Sequence, residues 1–497
     1  MIQIKFKLPK TQSNCNLNQL NRHKTYLKGF KQRSYQQVYI DGRFIMAQTF
    51  DCIVVGAGFS GLAAGRILHK ENKSFLLLEA RDRVGGRTHT RHFENGKYVD
   101  IGGQWIGPTQ DRMYDLAREH GIEWYETYNE GKNILDLNRV IKTYTGLIPK
   151  MDIPSLINID MVLKKLDRMA KKIELSNPWS TSQAKTWDSM SLETFARKHC
   201  YTRNCYKVVR AGLETVYACE LNEVSLLHAL FYIRSGTNLN VLLSIKDGAQ
   251  QHRIKGGMQP FAEKLAEKFQ TSIRLNNPVK RIIQSDDLIS VSGDGFEYKA
   301  KRVIVAIPPV LIQDIEFSPS LPLKKQQLLQ KLSMGIVGKV FGVYEKPFWR
   351  KNGFSGQVVA DEHAPFQTFF DSSPADSSYG VLLAFCIANR ARDFFLQDEQ
   401  SRKKIALEYF ERYFGEEAAQ PLYYTDHCWA DEAWSKGCYA GIYPTGAWTN
   451  FENELAKPYG SIFWAGTETS DVWYGYIEGA VRAGERAAQE VLNSLNP

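Results

Sequence analysis

The stretch IVVGAGFSGLAA, residues 53–64, decides the fold of this chain. It places a short apolar strand (51–55) before a G-x-G-x-x-G motif made of Gly56, Gly58 and Gly61, and an apolar helical pattern follows. In such a motif the first glycine permits a tight turn, the second lets the backbone approach a pyrophosphate, and the third lets the helix pack on the strand. The free N–H groups at the start of the helix then face the phosphates. The spacing therefore predicts a strand–turn–helix unit that binds a dinucleotide.

A second apolar run, FLLLEA (75–80), follows the helix and ends close to an acid. Glu79 lies eighteen residues after Gly61, a position from which a carboxylate accepts a hydrogen bond from a ribose hydroxyl. The order strand, turn, helix, strand is typical of the doubly wound parallel sheet of an α/β fold. We expect a Rossmann-like domain that holds an adenosine diphosphate cofactor without a 2′-phosphate.

Two further glycine-rich segments, EARDRVGGRTHT (79–90) and DIGGQWIGPTQ (100–110), favour FAD over NAD. NAD enzymes do not usually need a second Gly-Gly pair, flanked by arginines, directly after the ribose acid. Glycine lets the backbone lie close to a phosphate, and arginine adds charge and forked donors. The predicted cofactor contacts in these segments are Arg83, Gly86, Arg87, Gly103, Gln104 and Trp105.

The net charge of +9 does not indicate a nucleic-acid partner. Residues 1–45 hold nine Lys and Arg against one Asp, which is +8 of the +9 and leaves residues 46–497 almost neutral. A chain with no basic face on its folded part is not expected to bind nucleic acid. We predict that residues 1–45 are an unstructured basic extension, with a transit peptide and a true start at Met46 as alternatives.

Cysteine usage and hydropathy indicate the compartment. Eight cysteines without a CxxC pair indicate free thiols in a reducing environment. No apolar run reaches the 18 residues of a membrane-spanning helix. The ten histidines have no metal-ligand spacing, so no metal site is predicted.

Strand and helix signals alternate along the chain in a way that favours two interleaved domains. The predicted FAD-binding domain is discontinuous and consists of 46–124, 255–328 and 432–497. The predicted α+β substrate-binding domain consists of 125–254 and 329–431.

Five segments together carry a resemblance that runs collinearly from Met46 to the C-terminus. They are EARDRVGGRT, GGQWIGPTQ, KVFGVYEKPFWR (339–350), SKGCYAGIYP (435–444) and FWAGTETSDVWYGYIEGAVRAGERAA (463–488). They resemble the flavin monoamine oxidase family, whose wider membership includes putrescine and polyamine oxidases, L-amino-acid oxidases and histone demethylases. The resemblance implies FAD-dependent deamination of a primary amine by O₂ to aldehyde, ammonia and hydrogen peroxide.

The resemblance also implies roles for individual residues. Cys438 matches the cysteine that is joined through sulfur to the flavin 8α-methyl group, and Lys339 matches the lysine that holds a water at flavin N5. Tyr439 and Tyr476 match two facing aromatics between which the amine passes. An aromatic slot disfavours the ammonium form by desolvation, while the ring faces attract a partial positive charge. Further matches are Gln250, Leu243 and Thr215 at the substrate cavity and Val279, Gly466, Glu468 and Ile477 at the cofactor.

Some features depart from the family or leave alternatives open. The chain stops at Pro497, directly after its last helical pattern, so we expect a soluble, cytoplasmic enzyme without a membrane anchor. Gln104 and Trp105 replace smaller or less bulky residues, which leaves the amine class open. A diamine or polyamine oxidase would need a deep carboxylate, for which Glu214 is a candidate. An L-amino-acid oxidase would need an arginine for the substrate carboxylate.

A flavin-bound interaction module without turnover is the alternative from another class. The almost neutral body of the chain and the presence of Lys339 and both tyrosines argue against it. The oligomeric state is left open, with a homodimer among the options.

Overall fold

Two β-sheets form the framework, and the first glycine-rich turn lies at the end of a central strand of the larger one. The computed structural model describes residues 35–40, 43–146 and 149–495, so residues 1–34 of the predicted extension lie outside the described residues.

The strands, numbered in chain order, are β1 (Tyr35–Ile40), β2 (Arg43–Val55), β3 (Phe75–Leu78), β4 (Thr90–His92), β5 (Tyr98–Asp100), β6 (Trp105–Ile106), β7 (Trp124–Glu126), β8 (Lys132–Leu137), β9 (Val140–Tyr144), β10 (His252–Ile254), β11 (Ile273–Arg274), β12 (Arg281–Gln284), β13 (Ile289–Gly293), β14 (Phe296–Val305), β15 (Glu316–Ser318), β16 (Ser333–Met334), β17 (Val337–Tyr344), β18 (Phe354–Ala360), β19 (Thr368–Asp371), β20 (Gly380–Ile387), β21 (Tyr423–Cys428), β22 (Gly441–Ile442) and β23 (Ile462–Trp464).

The α-helices are α1 (Phe59–Lys70), α2 (Asp111–Glu119), α3 (Ile153–Ala170), α4 (Ala184–Asp188), α5 (Leu192–His199), α6 (Arg203–Tyr217), α7 (Leu226–Ser235), α8 (Leu239–Leu243), α9 (Met258–Ala266), α10 (Pro309–Ile312), α11 (Leu323–Lys331), α12 (Phe348–Lys351), α13 (Ala388–Phe395), α14 (Glu399–Phe414), α15 (Ala447–Phe451) and α16 (Ile477–Leu495). In the described part of the chain, no helix combines the length and the apolarity that a membrane crossing requires.

The larger sheet confirms the α/β fold predicted from the glycine motif. Its strand order is β11–β3–β2–β14–β13–β12–β15, with β23 beside β14. The strands nearest the motif run parallel to their neighbours: β2 pairs with β3, β3 with β11, and β14 with β23. All four residues of β3 are buried, as expected for an apolar strand covered on both faces.

The smaller sheet has the strand order β21–β17–β20–β19–β18–β8–β9 and is antiparallel except where β18 pairs with β8. Its strands come from the two segments predicted to form the substrate-binding domain. The domain division itself stays a prediction, because the chain from Phe50 onward forms one compact unit. The predicted boundary after residue 124 falls inside β7, which pairs with β10.

The described end of the predicted extension contains a strand, and the extension as a whole stays a prediction. Residues Tyr35–Ile40 form β1, which pairs antiparallel with the first residues of β2. The sequence YQQVYI contains aromatic and β-branched side chains, which favour an extended strand. The charge count that motivated the prediction contains no information on this local preference.

Helices α1 and α16 pack at a contact that leaves no room for a side chain at Gly484. A Cβ added there would lie 2.0 Å from the Ser60 carbonyl oxygen of α1. This backbone contact fixes the N-terminal turn of α1, which follows the first glycine turn.

We expect Gly484→Ala to lower the free energy of unfolding by about 1–3 kcal/mol, because the overpacked backbone must move. Gly212→Ala in α6 is the control, since its new Cβ meets only the Leu243 side chain, at 3.6 Å. Urea unfolding of both variants measures the difference. Equal stability of the two variants would contradict the close packing of α1 on α16.

Candidate active site

The backbone atoms of the first glycine turn are packed so closely that its glycines cannot be replaced by residues with a side chain. Gly56 has a φ of +98°, and a Cβ added at Gly61 would lie 1.9 Å from the Gly56 carbonyl oxygen. The α1 helix that follows has no acidic side chain in its first turn. Its free N–H groups therefore remain able to bind an anion.

The second glycine turn lies directly against the first. The Gly85 N–H donates to the Ala57 carbonyl at 2.9 Å, and a Cβ added at Gly86 would lie 3.1 Å from the Gly58 Cα. Glu79 is buried beside both turns, where its Oε2 accepts from the Ala57 N–H at 2.7 Å and its Oε1 from the Arg81 N–H at 3.0 Å. The carboxylate keeps further lone pairs for a ribose hydroxyl.

Arg83 holds the second turn together from inside. Its Nη1 donates to the carbonyls of Gly86 at 3.1 Å and of Thr88 at 3.0 Å. Burial lowers the pKa of its guanidinium below the ordinary value. Its contact with a phosphate stays a prediction.

Arg87 connects three segments that are far apart in sequence. Its Nη1 donates to the Tyr439 carbonyl at 2.7 Å and to Glu468 Oε1 at 2.6 Å, while its Nη2 donates to Glu468 Oε2 at 3.1 Å. Burial alone would lower the pKa of Arg87, but the Glu468 carboxylate raises it above its ordinary value. The pair is bidentate, which fixes the orientation of both side chains.

These segments line one cavity of about 360 Å³. Its dinucleotide end is formed by the glycine turns together with Glu79, Arg81, Asn277, Val279, Ala306, Asp314 and Gly466. Its distal end is formed by α6–α8 and β18–β20, through residues that include Thr215, Tyr232, Leu243, Gln250, Gln357, Thr368, Phe370 and Phe385.

The structure brings nearly all of the predicted site residues to this cavity. Gly61, Arg83 and Glu468 do not line it and support its wall from behind. The predicted residues that line it are Gly56, Gly58, Glu79, Gly86, Arg87, Gly103, Gln104, Trp105, Thr215, Leu243, Gln250, Val279, Lys339, Cys438, Tyr439, Gly466, Tyr476 and Ile477. Their roles as individual contacts remain predictions.

Lys339 and Cys438 lie between the two ends. Burial lowers the pKa of the Lys339 ammonium to about 7. Burial raises the pKa of the Cys438 thiol to about 11, although the positive charges of Arg87 and Lys339 oppose the rise. A buried amine with a pKa near neutrality is typical of a functional site.

Tyr439 and Tyr476 face the same cavity from different segments. Burial raises the pKa of each phenol well above its ordinary range, so both are neutral at physiological pH. Tyr476 packs edge-on against Trp473, with 4.8 Å between ring centroids. The Cys438–Tyr439 peptide bond is cis.

The distal end contains no charged side chain among the described lining residues. The lining carboxylates, Glu79 and Asp314, both lie at the dinucleotide end. Glu214, the candidate partner for a distal ammonium, does not line the cavity and is paired with Arg210 and Arg390. The lining arginines are likewise engaged, Arg81 with Ser435 and Arg87 with Glu468.

Sequence reasoning missed several residues of the distal wall. Tyr232 lies in helix α7, which is buried except at Arg234, and its sequence context does not distinguish it from a core residue, yet it lines the cavity and its ring lies 6.0 Å from the Tyr476 ring. Phe370 and Phe385 contact Trp105, with ring centroids 5.2 and 6.0 Å away. The sequence of β19, TFFD, does not alternate apolar and polar residues, so no local pattern indicated which ring faces the cavity.

The residues present fit a flavin dinucleotide. The cradle formed by the two glycine turns would be filled by side chains, the Glu79 carboxylate lies beside it, and the cavity continues past it to Lys339 and Cys438. A nicotinamide cofactor would not require the third glycine-rich segment that carries Gly103.

We expect Glu468→Ala to lower the free energy of unfolding by about 1–3 kcal/mol, because it leaves the largely buried Arg87 guanidinium without its partner. Glu267→Ala removes the exposed pair with Lys264 and should cost about 0.5 kcal/mol or less. Chemical denaturation with FAD present checks both values. If Glu468→Ala lost as little unfolding free energy as the control, the ion pair of Arg87 and Glu468 would not stabilise the fold.

Comparison with known proteins agrees with this site. A family model described as flavin containing amine oxidoreductase matches residues 59–492. A Mycobacterium tuberculosis protein named as a flavin-containing monoamine oxidase is 39% identical over 447 residues, which cover 90% of this chain and 97% of that protein. Flavin-containing amine oxidase B of Mus musculus is 36% identical over 454 residues, or 90% of this chain and 87% of the relative. The structure of wild-type putrescine oxidase bound to putrescine superposes with a TM-score of 0.85 at 30% identity, over 90% of this chain and 100% of that one. The chain therefore belongs to the flavin-containing amine oxidoreductase family and is a flavin-dependent amine oxidase.

Proposed function

We propose that this enzyme oxidises primary monoamines with an apolar substituent. The balanced reaction is R–CH₂–NH₂ + O₂ + H₂O → R–CHO + NH₃ + H₂O₂. FAD supplies the two-electron acceptor for the hydrogen that leaves the α-carbon. The observation that carries the proposal is the uncharged, aromatic distal end of a cavity that also contains Lys339 and the two tyrosines.

The wall of this end favours the neutral amine. Tyr439 and Tyr476 remain uncharged phenols, since burial raises the pKa of both. An ammonium that entered would lose its hydration without gaining a counter-ion, so the free base binds better. The ring faces still attract the partial positive charge that develops on nitrogen during oxidation.

No side chain of the distal wall is suited to act as a general base. The described lining residues include no histidine, and their carboxylates lie at the dinucleotide end. We infer that the substrate loses its ammonium proton before it reaches the flavin. The imine product then hydrolyses to the aldehyde and ammonia.

The diamine alternative is the stronger rival, since a related structure is bound to putrescine. It requires a carboxylate opposite the flavin, and Glu214 is already paired with two arginines. The L-amino-acid alternative requires a free arginine, and Arg81 and Arg87 are both engaged. Neither alternative is favoured by a specific contact.

We expect n-butylamine to have a kcat/KM about tenfold to a hundredfold higher than putrescine, because the two differ only in a distal ammonium that finds no partner. Peroxide release measured at several pH values tests this matched pair. Equal or better turnover of putrescine would contradict the monoamine assignment, and turnover of α-amino acids alone would overturn the reaction class.

We further propose that the flavin is attached through Cys438. The thiol lines the cavity beside Lys339, and Arg87 and Lys339 both favour its thiolate. Attachment replaces one S–H and one C–H bond by an S–C bond. The two electrons released go to the flavin and then to O₂.

We expect the yellow chromophore to stay with acid-precipitated wild-type protein and to appear in the supernatant of Cys438→Ala. Cys386→Ala is the matched control, because Cys386 is a buried thiol of β20 outside the cavity lining. Mass spectrometry of the denatured chains gives the same answer independently. Release of the flavin from the wild-type enzyme would exclude the linkage.

The compartment follows from the same chemistry of thiols. The cysteines in the described part of the chain are unpaired. We infer that the enzyme works in a reducing compartment such as the cytoplasm.

A further inference from the structure

The Lys339 ammonium has an acceptor for each of its three hydrogens. Its Nζ donates to the Asp100 carbonyl at 2.9 Å, to the Gly102 carbonyl at 2.7 Å and to Gln104 Oε1 at 2.6 Å. An ammonium has three donors and no acceptor. Two of the acceptors are backbone atoms, so Gln104 is the one side chain among the three.

The Gln104 amide is itself fixed from the other side. Its Nε2 donates to Ser372 Oγ at 3.3 Å, and the Ser372 carbonyl accepts from the buried Arg253 guanidinium at 2.5 Å. Gln104 is 1% exposed. The hydrogen bond from Gln104 Nε2 to Ser372 therefore directs the amide oxygen at Lys339.

The other groups around Lys339 do not replace this contact. Burial lowers the pKa of Lys339 to about 7, the Asp100 carboxylate acts to raise it, and the Arg253 charge acts to lower it. Asp100 Oδ1 already accepts from the Thr90 hydroxyl at 2.6 Å and from the Met258 N–H at 3.0 Å.

Two more titratable groups face Lys339. His427 of β21 lies opposite it in the sheet, and burial lowers the pKa of this histidine to about 4, so it is neutral. Cys438 is protonated at neutral pH, because burial raises its pKa to about 11. The aromatic rings of Trp105, Phe341 and Phe385 lie 5.4–5.8 Å from Nζ.

We propose that Gln104 is a positioning residue for the oxygen half of the reaction: by accepting the third hydrogen of Lys339, it holds that side chain as a fixed cation in the wall of the cavity. The inference rests on the proposed function for the place of the flavin. Reoxidation moves two electrons and two protons from the reduced cofactor to O₂ and gives H₂O₂. Negative charge develops on O₂ as electrons arrive, and a preorganised cation in a dry site stabilises it.

The direction in which the reoxidation rate constant changes with pH follows from the hydrogen bond that Gln104 accepts from Lys339. Gln104 binds the charged form of Lys339, so its removal lowers the pKa of the lysine further. The reoxidation rate constant should fall as pH rises through this pKa, near 7 in the wild type. In Gln104→Leu the fall should occur at lower pH, and in Gln104→Glu, where an ionised neighbour favours the ammonium, at higher pH.

The test reduces the flavin of each holoenzyme with dithionite under argon and mixes it with O₂ in a stopped-flow instrument between pH 5.5 and 9. For a pKa lowered by one unit, Gln104→Leu should reoxidise about tenfold more slowly than the wild type at pH 8. The rate constant for flavin reduction by n-butylamine is measured on the same variants, so that an effect confined to reoxidation is distinguished from a general loss of activity. The reduction potential of the bound flavin should change slope at the same shifted pH, which is a readout independent of turnover.

Gln367→Leu is the matched control. Gln367 is also a fully buried glutamine with two amide hydrogen bonds, to the backbone of Ile387, and it has no contact with Lys339. The Gln367→Leu variant should have a lower melting temperature than the wild type, but its reoxidation rate constant should fall at the same pH. Lys339→Met should abolish the pH dependence.

An unmoved pH dependence in both Gln104 variants would overturn the inference, and so would an equal shift in Gln367→Leu. Because dithionite replaces the amine, failure of the proposed function has a different signature. A flavin that no amine reduces, but that O₂ reoxidises with the expected shift, would refute the monoamine assignment and support the role of Gln104.

Discussion

The charge pair between the partly buried Arg87 and the buried Glu468 is the constraint on which the site depends. A buried guanidinium requires its partner, because its desolvation is offset only by a close and well-oriented carboxylate. Arg87 belongs to the second glycine turn, and its other bond reaches the carbonyl of Tyr439. The pair therefore fixes the distance between the cradle of the dinucleotide and the wall that carries Cys438 and Tyr439. These segments are more than 350 residues apart in sequence, and the bond between Arg81 and Ser435 is a second polar connection between them.

The mainly apolar lining of the cavity has two chemical consequences of opposite sign. It favours the neutral amine, so binding of a substrate should improve as pH rises toward the pKa of that amine. It also lowers the pKa of Lys339 to about 7, so the positive charge beside the cofactor is lost as pH rises. One physical property, the low polarity of the surroundings, thus favours amine oxidation at higher pH and reoxidation at lower pH. The contact between Gln104 and Lys339 widens the pH range in which both half-reactions proceed, because it favours the charged lysine without adding a charge to the cavity.

The sequence predicted what depends on local backbone geometry and missed what depends on distant partners. The spacing of Gly56, Gly58 and Gly61 predicted the turn, and the structure confirms the strand and helix around it. The resemblance to a family placed Lys339 and Cys438 at a cavity that the structure contains. An arginine at position 83 is the kind of residue that binds phosphate, and the sequence suggests that role. In the structure Arg83 donates to the carbonyls of its own turn, which depends on the conformation of the loop. Likewise, the pairing of Glu214 with Arg390 joins residues separated by 176 positions, which no local pattern indicates.

The loop 100–104 explains why a change at Gln104 acts on chemistry rather than on the fold. The backbone of this loop is fixed by Arg87, since the Gly103 N–H donates to the Arg87 carbonyl at 3.1 Å and a Cβ at Gly102 would lie 2.4 Å from the same oxygen. The carbonyls that bind Lys339 therefore belong to the same rigid unit as the cofactor cradle. The side chain at position 104 supplies the last acceptor of the ammonium. The Gln104 amide thus adjusts the protonation of Lys339, and the backbone that carries this amide is held in place by its contacts with Arg87.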